Sequence, residues 1–401
     1  MKHKLWLPLL LLALTLSQAA LSSTTWYVDG VHGSDNNNCK SPTTACKTIA
    51  HAISLAHSGD SILVAAATYT ENLTIGFSLK LIGSGAQTTI IDGGAKGTVV
   101  TIPTGHVTLA KVNIRNGVAS SNGGGAVYNN GTLAINHSTL SGNVVKGYKE
   151  NLGGGIRNLG TLTISNSALT NNSAFGTFTE PGDGGGIYNS GTMMIKDSTL
   201  SGNYAIGGGG IYNARGPTMT INNSTLSRNY ATAGGGVLNV QSATMIINNS
   251  TLSSNRSLGE IQNDGAMTIS NSTLSGVGDG IGVNNNGTAT FQNTIVGHNS
   301  KDCLGTMTSK GYNLSSDETC NFNGTGDLNN TDPKLGQLGN YGGPTQTIPL
   351  LSGSPAIDAG NPNGCTDGNG HLLKTDQRGK PRPDKEDTGG CDMGAYERQN
   401  D

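Results

Sequence analysis

Charge is scarce in this sequence. Asp, Glu, Lys and Arg make up only 12% of 401 residues, and the formal net charge is −2. Nucleic-acid binders carry a basic footprint, and polybasic membrane sensors carry a dense run of Lys and Arg, so neither class is expected. Bulky apolar side chains are also few, with 5 Phe against 61 Gly. A conventional globule needs larger residues to fill its centre, whereas a solenoid can use many small ones repeated along an axis. Solubility has to come from Asn, Ser, Thr and Gly.

Long apolar runs are missing after the first twenty residues. At the start, Lys2, His3 and Lys4 precede an apolar stretch from Leu5 to Leu16, and Ser17, Gln18 and Ala19 follow in a small-x-small pattern. That is the layout of a secretory signal over residues 1–19, and the stretch is too short for a comfortable membrane span. No Cys follows it to carry a lipid, and residues 395–401 do not form a membrane tail. A secreted or surface-exposed monomer is expected, with no stable transmembrane anchor.

Cysteine is absent between Cys46 and Cys303, and no CxxC or zinc-type spacing occurs. The six cysteines form three local pairs, Cys39 with Cys46, Cys303 with Cys320, and Cys365 with Cys391. In an oxidising compartment three disulfides are the first expectation; fifteen pairings are open, and proximity favours this one. Such bridges would restrain the two ends of the molecule.

What fills the middle is a repeat. GGGIRNLGTLTISNSALTNN over 153–172 and GGGIYNSGTMMIKDSTLSGN over 184–203 are copies of one unit. Further copies begin at Gly123, Gly208 and Gly234, and weaker ones run through Ile261 and Phe291. Equivalent asparagines fall at Asn129, Asn158, Asn189, Asn213, Asn239 and Asn263, at spacings of 29, 31, 24, 26 and 24 residues. A serine set recurs at Ser138, Ser167, Ser198, Ser224, Ser250 and Ser272. Within a unit Leu162 and Ile164 alternate with Thr163 and Ser165, which is a β period.

The pattern describes a coil of short strands whose backbone groups pair with the next coil. Ile156, Ile187, Ile211 and Val237 are expected to stack inward as one ladder, and Ile135, Ile164, Ile195, Ile221, Ile247 and Ile269 as another. The recurrent asparagines suit bends where backbone groups would otherwise lack partners. The glycine triplets permit tight turns and are not phosphate loops, since no helix or GK[ST] follows them. Thr48 to Ala56 has the apolar spacing of a short amphipathic helix able to cap the open core. The solenoid, with this cap, is read over 20–300, and an irregular, disulfide-restrained region over 301–401.

The segments WYVDG, GDSILVAAATYTENLTI and SLKLIGSGAQTTIIDGG resemble the opening coils of the pectin-lyase-like superfamily of right-handed parallel β-helices. The C-terminal pieces DPKLGQLGNYGGPTQTIPLLSGSPAIDAG, TDQRGKPRP and CDMGAYE resemble the choice-of-anchor Q domain of bacterial surface proteins. Together the resemblances span nearly all of the mature chain. They imply an all-β, single right-handed parallel β-helix. Members of the surface family often carry a sorting signal or anchor afterward; the chain stops soon after Glu397, so secretion is the simpler expectation.

Candidate contact residues come from the repeat and its interruptions. Tyr128, Arg157, Tyr188 and Tyr212 each follow an inward aliphatic position and precede the recurrent Asn, so strand alternation places them outward in one stripe. Such a stripe could stack with sugar rings or serve as a stabilising surface ladder. Insertions at 144–152 and 173–183 bring Tyr148, Phe175 and Phe178 together with charged neighbours, on adjacent coils. Catalytic residues cannot be assigned. A lyase would need grouped carboxylates and a base in one groove, a hydrolase two facing carboxyl groups, and the polygalacturonase motifs do not appear in order. Asp358, Asp367, Asp376, Asp384 and Asp392 could bind Ca²⁺, but metal-free turns are the default and no other cofactor is expected. Asp376, Arg378, Asp392 and Glu397 could instead form a structural ion-pair network. The favoured function is a noncatalytic, adhesion-type surface offering repeated weak contacts to a polysaccharide or another cell-envelope component. The alternatives are a polysaccharide lyase or glycoside hydrolase, and a purely structural envelope protein.

Overall fold

The computed structural model describes residues 23–120, 123–147, 149–176, 181–276, 280–385 and 390–399. The signal segment, Tyr148 and Phe178 lie outside them. The described chain is a single right-handed parallel β-helix. Among the described residues, three long parallel sheets of twelve, eleven and ten strands run the length of the molecule. Each coil crosses them in turn. Thr161–Ser165 lies in the first sheet, Ala168–Thr170 in the second and Ile187–Asn189 in the third.

Alternation within these strands fixes which side chains face the axis. The expected ladders form in register, with Ile156 against Ile187, Ile187 against Ile211, and Ile211 against Val237. Ile164, Ile195, Ile221, Ile247 and Ile269 stack likewise on the first sheet. Leu140, Leu169, Leu200, Leu226, Leu252 and Leu274 supply the third inward line, on the second sheet. All of these side chains are fully buried in one continuous core.

The corners explain the asparagines. Between the first and second sheets the chain turns through a left-handed residue, filled by His137, Asn166, Asp197, Asn223, Asn249, Asn271 and Asn293. Asn, Asp and His tolerate that conformation better than most residues. At the end of the third-sheet strands from Val127–Asn129 to Ile261–Asn263 a buried asparagine bonds to its counterpart one coil on. Asn129 Nδ2 donates to Asn158 Oδ1 at 2.7 Å, and the chain of bonds continues through Asn189, Asn213, Asn239, Asn263 and Asn285. A second ladder, Asn143–Asn172–Asn203–Asn229–Asn255, follows the second sheet. In the glycine triplets the coils approach closely. A Cβ on Gly185 would lie 2.5 Å from the Gly209 carbonyl oxygen.

The ends are closed as the sequence suggests. The helix Ile49–Leu55, with Thr48 Oγ1 capping its first turn, buries Ile49 and Ala52 over the core. Cys39–Cys46, Cys303–Cys320 and Cys365–Cys391 are all bonded. One more coil, Lys301–Leu304, Thr308–Ser309 and Leu314–Ser315, follows residue 300.

The C-terminal segment then folds back along the outer face of the second sheet. Gln377 donates to Thr225 Oγ1 at 2.9 Å and accepts from Thr251 Oγ1 at 2.6 Å. Arg382 Nη1 donates to Asn249 Oδ1, and Asn293 Nδ2 to the Asp392 carbonyl. The segment is stapled internally by buried Arg378–Asp376 and Arg382–Glu397 pairs, each at 2.7 Å.

Candidate functional site

The site is built on the turn that leaves the second sheet. Each coil reads Thr/Ala-Leu-Ser/Thr, then a corner residue, then the ladder asparagine, then one outward residue. The corner is left-handed in every coil from Gly142 to Ser254. Gly142, Asn171 and Gly202 fill it in the earlier coils, but Arg228 (φ 55°), Ser254 (58°) and His298 (61°) fill it later. A side chain there costs about 1–2 kcal/mol over glycine. Such strain is retained where the surrounding structure over-determines it, and it clusters at functional positions.

The outward residues following the asparagines form a line. Ser173, Tyr204, Tyr230 and Arg256 pair in parallel from coil to coil. Phe175 joins the edge of this line. Its ring lies 5.5 Å from Tyr204, and Tyr204 stacks on Tyr230 at 5.5 Å with the planes 3° apart. These residues are 47%, 38% and 51% exposed, so three aromatic side chains stand in solvent along one edge.

At its far end this edge opens into a cleft of about 960 Å³ between the solenoid and the returning C-terminal segment. Arg228, Tyr230, Arg256 and His298 line one side, and Leu335 and Leu338 the other. Among the described residues neither arginine has an ion-pair partner. His298 faces Asp332 across 3.4 Å. Below Arg256 sits the fully buried carboxyl of Glu260. Its Oε1 accepts the Asn255 N–H at 3.2 Å, ending the second ladder where the next asparagine is missing. Its Oε2 has no hydrogen-bond partner. Burial pushes this carboxyl up to about 8, against hydrogen bonds from the Asn255 and Ser254 backbone.

The stripe expected from the sequence lies on the third sheet. Tyr128, Arg157, Tyr188 and Tyr212 stand in register on successive strands. Tyr188 and Tyr212 stack at 5.3 Å, and the Arg157 guanidinium lies 5.6 Å from the Tyr128 ring centre. These side chains are half-buried rather than free. Burial raises both phenols, with Tyr212 pushed to about 12. The stripe ends against buried Leu238. Asp183 from the second insertion packs beside Tyr212, over Gly207, where any Cβ would lie 2.5 Å from its carboxylate oxygen. Burial, with the nearby Glu150 charge, pushes Asp183 to about 7. Phe175, from the same insertion, is not part of this stripe and joins the Tyr204–Tyr230 edge instead.

The acidic C-terminal residues are engaged in turns and pairs. Asp376 binds Arg378, and Asp392 accepts the Asp358 and Arg398 backbone N–H groups. Asp367 closes a turn onto Asn369 and His371. Among the described residues no three carboxylates converge at metal-ligand distance; the one convergent group, Cys39, Cys46 and His51, contains the first disulfide.

The Arg228–Arg256–His298 cleft is absent from the sequence-level candidates because its second wall, Leu335 and Leu338, comes from beyond the repeat, 37 to 110 positions away. A local signal did exist: the change from Gly or Asn to Arg and His at a left-handed corner.

The fold is that of a right-handed parallel β-helix. Among solved structures, the chain is similar to the pectate lyase Pel9A, with a TM-score of 0.60 at 15% identity, covering 94% of this chain and 98% of that one. It is also similar to XylC in complex with xylose, with a TM-score of 0.50 at 9% identity, covering 93% and 98%. No protein-family model matches the chain. No curated protein matches it either. Among the described residues no helix is long and apolar enough to cross a membrane.

Proposed function

We infer that this is a secreted or cell-surface carbohydrate-binding β-helix that holds an extended glycan along the Phe175–Tyr204–Tyr230 edge. The observation that carries the reading is the run of solvent-exposed rings at 5.5 Å steps opening directly into a cleft. Exposed aromatic side chains give apolar contact to sugar rings, and repeated weak contacts along a rigid edge add up without covalent chemistry. The half-buried Tyr188–Tyr212 stripe offers a second, shallower contact. The disulfides fit an oxidising, extracellular compartment, and the C-terminal resemblance to choice-of-anchor Q fits display at the cell envelope. That Pel9A is a pectate lyase and XylC holds xylose supports a carbohydrate partner.

A polysaccharide panel, including pectate, alginate and neutral glycans, tests the reading for binding and product release with and without Ca²⁺. Saturable binding without new chain ends is expected. Tyr230→Ala should weaken it by about tenfold, the scale of a lost aromatic anchor. Absence of binding to every glycan would overturn the reading.

One observation favours an enzyme as second reading. Asp183, raised to about 7 by burial beside Tyr212, keeps its proton on about half of the molecules at neutral pH, as a general acid can use. Release of reducing or unsaturated ends that disappears in Asp183→Asn would establish it.

A further inference from the structure

We propose that the cleft between the solenoid and the C-terminal segment is an oxyanion subsite, in which Arg228 and Arg256 grip a carboxylate or sulfate carried by the sugar next to the one stacked on Tyr230. The proposal rests on the glycan reading and names the ligand chemistry of that same edge.

Four observations place it. Arg256 occupies the line of Tyr204 and Tyr230, paired in parallel with Tyr230 one coil before it. A ligand following the rings therefore meets a guanidinium next. Arg228 sits two residues before Tyr230 at the left-handed corner, so its side chain enters the cleft from the coil of the last ring. The chain accepts backbone strain there that glycine would relieve, as it does at Gly142 and Gly202. Neither guanidinium is neutralised by a described carboxylate, so both are available to an incoming anion. The one carboxyl directly beneath, Glu260, is kept protonated at neutral pH by burial and does not oppose an anion.

Guanidinium groups offer paired N–H donors that match the two oxygens of a carboxylate or sulfate. Two of them on adjacent coils, beside an aromatic face, select a sugar that is flat on one side and charged at its edge. His298 is held by Asp332, so the arginines carry the contact. Leu335 and Leu338 close the far side and reduce the competing water.

Matched polymers test the proposal with the full chain. Polygalacturonate is compared with its methyl ester, and dextran sulfate with dextran, at low and high salt. The charged member of at least one pair should bind at least about tenfold more tightly than its neutral partner, as expected for charge-assisted hydrogen bonds. The preferred pair tells a carboxylate from a sulfate. Arg228→Gln/Arg256→Gln should abolish that preference, while Lys80→Gln/Lys111→Gln, which removes two exposed charges on the first sheet and the corner that follows it, should leave it. Both pairs of positions are exposed, and thermal melting confirms that the variants fold. Equal binding of charged and neutral polymers overturns the subsite and leaves the glycan reading standing. A charge preference that survives the arginine substitutions also overturns it. Binding of no polymer overturns both readings.

Discussion

At the residue scale, the most consequential groups are those that break the repeat. Glu260 stands where an asparagine would continue the ladder, and it leaves Oε2 without a partner. Its folded-state pKa is raised, so the folded chain holds that proton up to about pH 8 while the unfolded chain releases it near the ordinary value of 4.5. Between those values the unfolded state binds fewer protons, and stability falls as pH rises through that window. Glu260→Gln keeps the acceptor for Asn255 and removes the ionisation. Its melting temperature should exceed the parent's at pH 8 and equal it near pH 4. The gain should grow steadily between about pH 4.5 and 8, because Gln takes up no proton on folding. Arg228→Gly addresses the corner strain. It should raise stability by about 1 kcal/mol in urea unfolding while weakening binding of charged glycan, a trade of function against stability.

At the scale of elements, the asparagine ladders decide cooperativity between coils. Asn203 Oδ1 accepts from the Asn172 backbone and side-chain nitrogens, and its Nδ2 donates to the Leu169 carbonyl and to Asn229 Oδ1. Asn203→Ala orphans groups on both neighbouring coils and should cost about 3 kcal/mol or more, read by urea unfolding. Amide exchange at Asn172 should rise with it. This layer of the structure was legible in the sequence. The inward Ile and Leu positions, the capping helix after Thr48 and the bonded asparagines all follow from local periodicity and from residues that tolerate a left-handed corner. The Tyr128–Arg157–Tyr188–Tyr212 register was legible for the same reason. Its half-burial was not, because that depends on how the insertions lie over the third sheet. Nor was the departure of Phe175 to the other edge, since an insertion has no repeat partner to fix its direction. The cleft escaped altogether. Its second wall is held by bonds such as those of Gln377 to Thr225 and Thr251, spanning 152 and 126 residues, which carry no period.

At the scale of the whole molecule, the returning C-terminal segment acts as a splint over the later coils. It touches the second sheet from Thr225 to Asn293 and leaves the earlier coils bare. A Cys365→Ser/Cys391→Ser variant should lose about 3 kcal/mol in that segment, as expected for a bridge closing a loop of this size. Because each coil contacts chiefly its neighbours, hydrogen exchange should rise in strands from Thr225–Ser227 to Thr273–Ser275 and stay unchanged in Thr89–Asp92 and Asn113–Arg115. A uniform rise along the chain would mean that the coils unfold as one unit.

The asparagine amides also give the molecule a direction. In both ladders every asparagine-to-asparagine bond runs the same way, from the Nδ2 of one coil to the Oδ1 of the next. Each coil thus presents the same socket behind it and the same plug ahead. A length of chain cut from Asn203 to the residue before Asn229 would leave ends that fit each other as the originals did. The protein can be read as a one-dimensional crystal whose unit cell is the coil, with its length set by how many cells lie between two caps.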